Sequence, residues 1–221
     1  MRWRQYVFPA AVLAIAAIAG IVVLIVNSAG DGGGEESASG CEDVSAPEPK
    51  DVRVRKPTFR LQRSKRYLAT VETSCGTFTI QLDPRRAPAT GGSFVTLAQD
   101  SFYDGLGFHR IAPGFVIQGG DPAGNGSGGP GYKIRERPPK DLVYSEGTVA
   151  MAKAGDEPAG TSGSQFFVVT GGNANLPPDY ALLGKVTKGM EVAHRIEDLA
   201  STSDGPPSQP VVIEKITISE K

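Results

Sequence analysis

Apolar residues fill Val7 to Val26 (VFPAAVLAIAAIAGIVVLIV) without a single charge. At 1.5 Å per residue, a helix of that length spans about 30 Å, the thickness of a bilayer's hydrocarbon core. Arg2 and Arg4 precede the run, and Asp31, Glu35, Glu36, Glu42 and Asp43 follow it before any Lys or Arg. The positive-inside bias predicts a cytoplasmic N-terminus at 1–6, one transmembrane helix or uncleaved signal anchor at 7–26, and the rest of the chain across the membrane. A cleaved signal peptide is the competing reading, because Ser28-Ala29-Gly30 would suit a peptidase, although such apolar cores usually run about 7–15 residues.

Residues 27–57 change character. Gly30, Gly32, Gly33, Gly34, Glu35 and Glu36 cannot bury apolar surface, and Pro47, Pro49 and Pro57 stiffen the later part. This predicts a flexible Gly/Ser/Pro/acidic linker before a body at 58–221. In the body, Leu68 and Val71, then Phe78, Ile80 and Leu82, recur at strand spacing on either side of a Cys75-Gly76 turn. Further strands are predicted at Phe115–Gln118, Thr148–Ala152, Gln165–Thr170, Leu182–Val186 and Val211–Ser219. Phe94, Leu97 and Ala98 place a helix from about Ala87 to Gln99, which Gly91-Gly92 weakens. Met190, Ala193 and Ile196 place a second over Gly189–Leu199. Short strands at turn-rich intervals with two helices predict a mainly β closed barrel or sandwich.

Charge and composition narrow the chemistry. The 221 residues carry 23 Lys and Arg against 24 Asp and Glu, a net charge of −1. That leaves no clustered basic surplus for nucleic acid. Two His and two Cys do not make a zinc site at the usual ligand spacings, so no metal is expected. Export permits disulfides, and Cys41 with Cys75 is the one available pair. Bridging them would tie the linker's end to the first hairpin; two unpaired thiols, or Cys75 as a nucleophile beside a base, are the alternatives.

Two motif matches fail on context. Gly124-Asn125-Gly126-Ser127-Gly128-Gly129 satisfies G-x-G-x-x-G, but Pro130-Gly131 follows where dinucleotide binding requires a helix. Gly160-Thr161-Ser162-Gly163-Ser164 misses the nucleophile elbow at its fifth position. The informative stretch is Phe108-His109-Arg110-Ile111-Ala112-Pro113-Gly114-Phe115-Val116-Ile117-Gln118-Gly119-Gly120-Asp121. Strand alternation puts Phe115 on the face opposite Gln118, so a bulge or twist near Gly119-Gly120 is needed to bring both to one pocket. Otherwise Arg110 and Gln118 are solvated on a barrel exterior.

That stretch resembles the signature of the cyclophilin-type peptidyl-prolyl isomerases. Gly124–Tyr132 (GNGSGGPGY), Gly147–Ala154 (GTVAMAKA), Thr161–Val168 (TSGSQFFV) and Leu183–Met190 (LGKVTKGM) resemble further family blocks, in the family's order. The resemblance covers about Tyr67 to Lys221 and implies an eight-stranded antiparallel barrel closed by two helices. It implies that Arg110 donates to the prolyl nitrogen, that Phe115, Phe167 and Leu176 line a proline socket with Val116, and that Gln118 holds the substrate carbonyl side and orients Arg110. Ala152 and Lys153 would offer backbone groups, with Gln165 alongside, and His109 would flank Arg110 at the rim. No cofactor is implied, because the reaction is a bond rotation.

Three positions depart from the family. Lys153 stands where Asn is frequent, Tyr180 where many relatives have His, and Asn175 where cyclosporin-sensitive relatives have Trp, so weak cyclosporin binding is expected. The resulting expectation is a single-pass cell-membrane isomerase, its C-terminal domain extracytoplasmic, acting on proline-containing exported polypeptides. The alternative is a proline-peptide-binding or chaperone module with little catalysis.

Overall fold

A computed structural model describes residues 40–221. The predicted segments 1–6 and 7–26, and the linker up to residue 39, lie outside the described residues. Among those described, no helix is long and apolar enough to cross a membrane.

The chain forms β1 (Tyr67–Thr73), β2 (Gly76–Leu82), α1 (Pro88–Gln99), β3 (Leu106–Ala112), β4 (Val116–Gly119), β5 (Ile134–Arg135), β6 (Thr148–Met151), β7 (Thr161–Ser162), β8 (Phe166–Val169), β9 (Leu182–Lys188), α2 (Met190–Glu197) and β10 (Val212–Glu220). Eight strands close an antiparallel barrel in the order β1-β10-β3-β4-β8-β6-β9-β2, with β2 pairing back onto β1. β5 and β7 form a separate two-stranded sheet. The hydrophobic periodicity anticipated every barrel strand except β3, to within two residues at most ends.

The barrel interior holds an aromatic cluster. Phe94 from α1, Tyr103, Phe108 and Phe166 meet edge-on or tilted at ring separations of 5.1–6.0 Å, the arrangement that ring quadrupoles favour. Gly91 and Gly92, which weaken α1 by propensity, have a packing reason. A Cβ on Gly92 would lie 2.2 Å from the Phe59 carbonyl oxygen, and one on Gly91 2.4 Å from Leu61 Cδ1. Residues 59–61 cross the helix at backbone contact, and Leu61 N–H donates to the Pro88 carbonyl (2.9 Å). The first turn of α1 has no side-chain cap of its own. The Glu136 carboxylate supplies one by accepting from Ala89 N–H (2.9 Å) and Thr90 N–H (2.8 Å), at the end where the helix dipole favours an anion.

The stretch expected to be flexible linker is, from Cys41 onward, a strap along the barrel. Cys41 is disulfide-bonded to Cys75 and fully buried. Glu42 N–H donates to Ser74 O (2.7 Å), Lys50 N–H to Pro122 O (2.7 Å) and Val54 N–H to Pro130 O (3.0 Å). Val52 and Val54 pack against the core. The acidic residues of this segment are exposed, while the alternate valines face in and Pro47 lies against Gly107 of β3.

Candidate active site

Register builds the site. Arg110 on β3 is paired with Gln118 on β4, Gln118 with Phe167 on β8, and Phe167 with Ala150 on β6. Residues paired across neighbouring strands share a face, so these four form one row on the barrel exterior. The adjacent row, Phe108, Gly119, Phe166 and Met151, faces the core. Phe108 and Arg110 are two residues apart, and in a regular strand they would point the same way. A bulge between them makes His109 the extra residue and turns Arg110 outward while Phe108 stays in the core. The distortion that the sequence placed in β4 is therefore in β3. β4 is regular, and Phe115 reaches the pocket from the turn before it.

That turn is held from two sides. Phe115 O accepts from Thr170 N–H (3.0 Å), and Gly114 N–H donates to Glu197 Oε1 (2.6 Å), which Thr170 Oγ1 also meets at 2.5 Å. A Cβ on Gly171 would lie 2.0 Å from Gly114 O, so only glycine permits the β4–β8 end to close this tightly.

A pocket of about 150 Å³ opens on the row, lined by Arg110, Phe115, Val116, Gln118, Ala152, Lys153, Phe167, Leu176 and Tyr180. Nine of the residues expected at the site thus lie together. Its floor is a second apolar cluster, Val116, Tyr144, Ala150, Phe167 and Val169, on the outside of the barrel. The buried Tyr144 hydroxyl donates to Tyr180 O (2.6 Å) and accepts from Tyr180 N–H (3.0 Å), and burial pushes it up to about 12. Phe167 and Tyr180 meet edge-on at 5.5 Å. Two of the departing positions meet each other: Lys153 Nζ lies 5.5 Å from the Tyr180 ring centroid, a cation on the aromatic face. Ala152 N–H donates to Gln165 O (2.9 Å), so at that residue only the carbonyl can meet a peptide. Asn175 is exposed at φ 51° beside Leu176.

Gln165 and His109 lie outside that pocket's lining. Gln165 stands alongside Ala152 and Lys153 as expected, in an adjoining hollow that it lines with them, Gln118, Gly126 and Gly128. His109, expected beside Arg110 at the rim, is the bulge residue and faces a different hollow with Pro47, Asp121 and Pro210. Its Nε2 is 3.5 Å from Gln118 Nε2, and its buried Nδ1 has no hydrogen-bond partner. Burial holds its pKa below the usual value, with Arg110 adding to the depression and Asp121 opposing it.

The polar groups form one chain of hydrogen bonds. Gly126 O and Gly128 O accept from Gln165 Nε2 (2.9 Å each), Gln165 Oε1 accepts from Gln118 Nε2 (2.9 Å), and Gln118 Oε1 accepts from Arg110 Nη1 (3.1 Å). The Gly-rich loop rejected as a nucleotide motif therefore holds the glutamine relay. On its other edge Arg110 meets Asp204, which the sequence reading missed: Nε to Oδ1 is 2.7 Å and Nη2 to Oδ2 is 2.8 Å. That hydrogen bond holds the Arg110 pKa above its ordinary value and the Asp204 carboxyl below the usual carboxylate range. Among the described residues no group of three or more His, Cys, Asp or Glu is placed to hold a metal.

A family model for "Cyclophilin type peptidyl-prolyl cis-trans isomerase/CLD" matches residues 68–218. Peptidyl-prolyl cis-trans isomerase A of Mycobacterium tuberculosis is 40% identical over 169 residues, covering 68% of this chain and 91% of that one. Peptidyl-prolyl cis-trans isomerase B of Bacillus subtilis is 44% identical over 119 residues, 53% of this chain and 81% of the relative. A crystal structure of a Cryptosporidium parvum cyclophilin-type isomerase in the presence of the dipeptide Ala-Pro superposes with TM-score 0.63 at 31% identity, over 69% of this chain and 98% of that one. The chain belongs to the cyclophilin-type peptidyl-prolyl cis-trans isomerases.

Proposed function

We propose that this isomerase accelerates X-Pro rotation in exported polypeptides, held at the membrane by 7–26 with its barrel outside the cytoplasm. The observation that carries the catalytic part is the Arg110 guanidinium, fixed by hydrogen bonds at the edge of a socket walled by Phe115, Val116, Phe167 and Leu176.

The X-Pro bond resists rotation, with a barrier of about 18–20 kcal/mol, because the nitrogen lone pair conjugates with the carbonyl. At the twisted midpoint the lone pair is released and the nitrogen becomes a hydrogen-bond acceptor. A proline ring seated on Phe115 and Phe167 brings that nitrogen towards Arg110. The guanidinium then donates more strongly to the twisted state than to the planar one, which is the condition for acceleration. Gln118 accepts from Arg110 through Oε1 and sets one edge of its plane. The Ala152 carbonyl and Lys153 meet the flanking peptide. Neither nucleophile nor cofactor enters the step.

Replacing Arg110 with Ala in the full chain tests this. A tetrapeptide isomerisation assay is expected to lose about 100-fold in kcat, the usual scale for deleting one transition-state donor. An unchanged rate ends the donor assignment. Binding of the tetrapeptide without acceleration by the native chain supports instead a proline-peptide-holding role. For topology, protease added to intact spheroplasts is expected to remove the barrel; protection reverses the orientation. With Asn175 exposed where a large aromatic contact is needed, cyclosporin is expected to inhibit only weakly, and titration of the isomerase reaction measures this.

A further inference from the structure

Resting on the reading of Arg110 as the donor, we propose that Asp204 is a positioning residue of the isomerase reaction, fixing the guanidinium so that two of its N–H bonds point to substrate. The count follows from the bonds made. A guanidinium has five N–H donors. Nε–H and one N–H of Nη2 go to the two Asp204 oxygens, and one N–H of Nη1 goes to Gln118. One N–H on each terminal nitrogen remains. Gln118 alone would leave the group free to swing about its Nη1 contact, whereas a planar fork gripped at Nε and Nη2 has one orientation.

Asp204 is itself held in place. Its loop joins α2 to β10 and is pinned to the strand that carries Arg110: Ile111 N–H donates to Gly205 O (2.7 Å) and Gly205 N–H to Ile111 O (3.1 Å). The loop is also braced internally, by Ser201 Oγ to Pro206 O (2.6 Å) and Ser208 N–H to Leu199 O (2.7 Å). Residues adjacent to the ion pair on both partners, Ile111 and Gly205, are thus locked to each other, so the two backbones hold carboxylate and guanidinium within reach of one another. Asp204 is absent from the residues lining the pocket; it acts through Arg110.

The test compares D204A and D204N with R110A and the R110A/D204A double variant, all in the full chain, by tetrapeptide saturation kinetics. D204A is expected to lower kcat about 10-fold with KM within about twofold, because the misplaced donor is felt in the twisted state rather than in binding. D204N, which keeps one acceptor of the same size, is expected to lose about threefold. D204A should have no further effect in the R110A background, the signature of a residue that acts through its partner. The Arg110 Nε–H proton resonance should lose its hydrogen-bonded shift in D204A and move part of the way in D204N, whose amide oxygen still accepts. A native kcat in D204A, or an additional loss on top of R110A, overturns the assignment. Should D204A unfold, D204N with native kcat and the same resonance shift overturns it equally. R110A at the native rate removes the donor reading itself, an outcome separate from a dead R110A beside an undiminished D204A.

Discussion

Phe166 and Phe167 are neighbours in one strand and belong to different worlds. Phe166 points into the barrel, where Phe94, Tyr103 and Phe108 surround it on every side. Phe167 points out onto Val116, Ala150 and Val169, among apolar side chains that end at an open pocket. Both are almost fully buried, at 0% and 4% exposure. What separates them is closure. The interior has spent its apolar surface on itself, while the outer cluster keeps one wall unfilled, where a ring of five atoms can complete the packing. An eight-stranded barrel filled by its own side chains has no room for a ligand inside, so the binding surface is built on the exterior of β4, β6 and β8.

The largest effects should come from separating these two roles. F166A is expected to lose about 4–5 kcal/mol of unfolding free energy and F167A about 3, since only the former leaves a sealed cavity. Denaturant unfolding measures both. Per folded molecule, F166A should retain tetrapeptide kinetics, whereas F167A should raise KM at least several-fold by removing a wall of the socket. Equal losses of activity in the two variants would erase the distinction drawn here.

The strap offers a second contrast, between segments held by packing and segments held by a bond. Residues 40–57 contribute Val52 and Val54 to the core but are anchored by Cys41–Cys75 across a sequence separation of 34. Reduction, or the C41S/C75S pair, is expected to lower stability by about 2–4 kcal/mol through the freed chain, with isomerase activity at 25 °C nearly unchanged because the strap lies off the pocket. Labelling of native protein by an alkylating agent without reductant contradicts the bridge.

Between core and pocket sits the Tyr144 hydroxyl, which satisfies both backbone groups of Tyr180. Y144F should be destabilised by about 1–3 kcal/mol, the usual cost of stranding buried polar partners. KM should rise as Tyr180 shifts from the pocket edge. A Y144F protein with native stability means that water replaces the hydroxyl without loss.

How much of this was written in the chain depends on distance. The β1–β2 hairpin, both helices and most barrel strands follow from local periodicity, and the family blocks carry Arg110, Phe115 and Gln118. β3 escaped because the His109 bulge breaks the alternation that marks a strand, so Phe108 and Arg110 at spacing two face opposite ways. Asp204 escaped because it lies 94 residues from Arg110, in a Ser/Gly/Pro loop with no chemistry of its own. The Ile111–Gly205 bridge, a tertiary fact, brings the two within reach. Gly91-Gly92 read as a flaw in a helix until the crossing at Phe59 gave the reason. Residues 40–57 read as linker because charged residues and Pro dominate the composition, while Val52 and Val54 pack against the core.

The smallest expected effects set the two histidines against each other. His194 lies between Glu197 and Glu146 (3.2 and 2.8 Å), and the Glu197 hydrogen bond, helped by that of Glu146, holds its pKa above the ordinary value near 6.5. A raised folded pKa means that its stabilisation is complete below about pH 6.5 and is lost as pH rises through the folded value. His109 is the reverse: burial lowers its folded pKa, so a penalty grows as pH falls from about 6.5 through the folded value. With His194 about 40% exposed, solvent screening limits its contribution to about half a kcal/mol. The native protein should therefore be most stable near pH 6.5, losing a little below it through His109 and a little above it through His194. H194N should tilt the profile towards greater stability at high pH, and H109N towards greater stability at low pH. Because Glu197 also holds Gly114 and Thr170 around Phe115, the H194N tilt should be accompanied by a small rise in KM that H109N lacks. Thermal unfolding of the three proteins across that range reads the slopes directly, and parallel profiles would show that neither imidazole changes its protonation on folding.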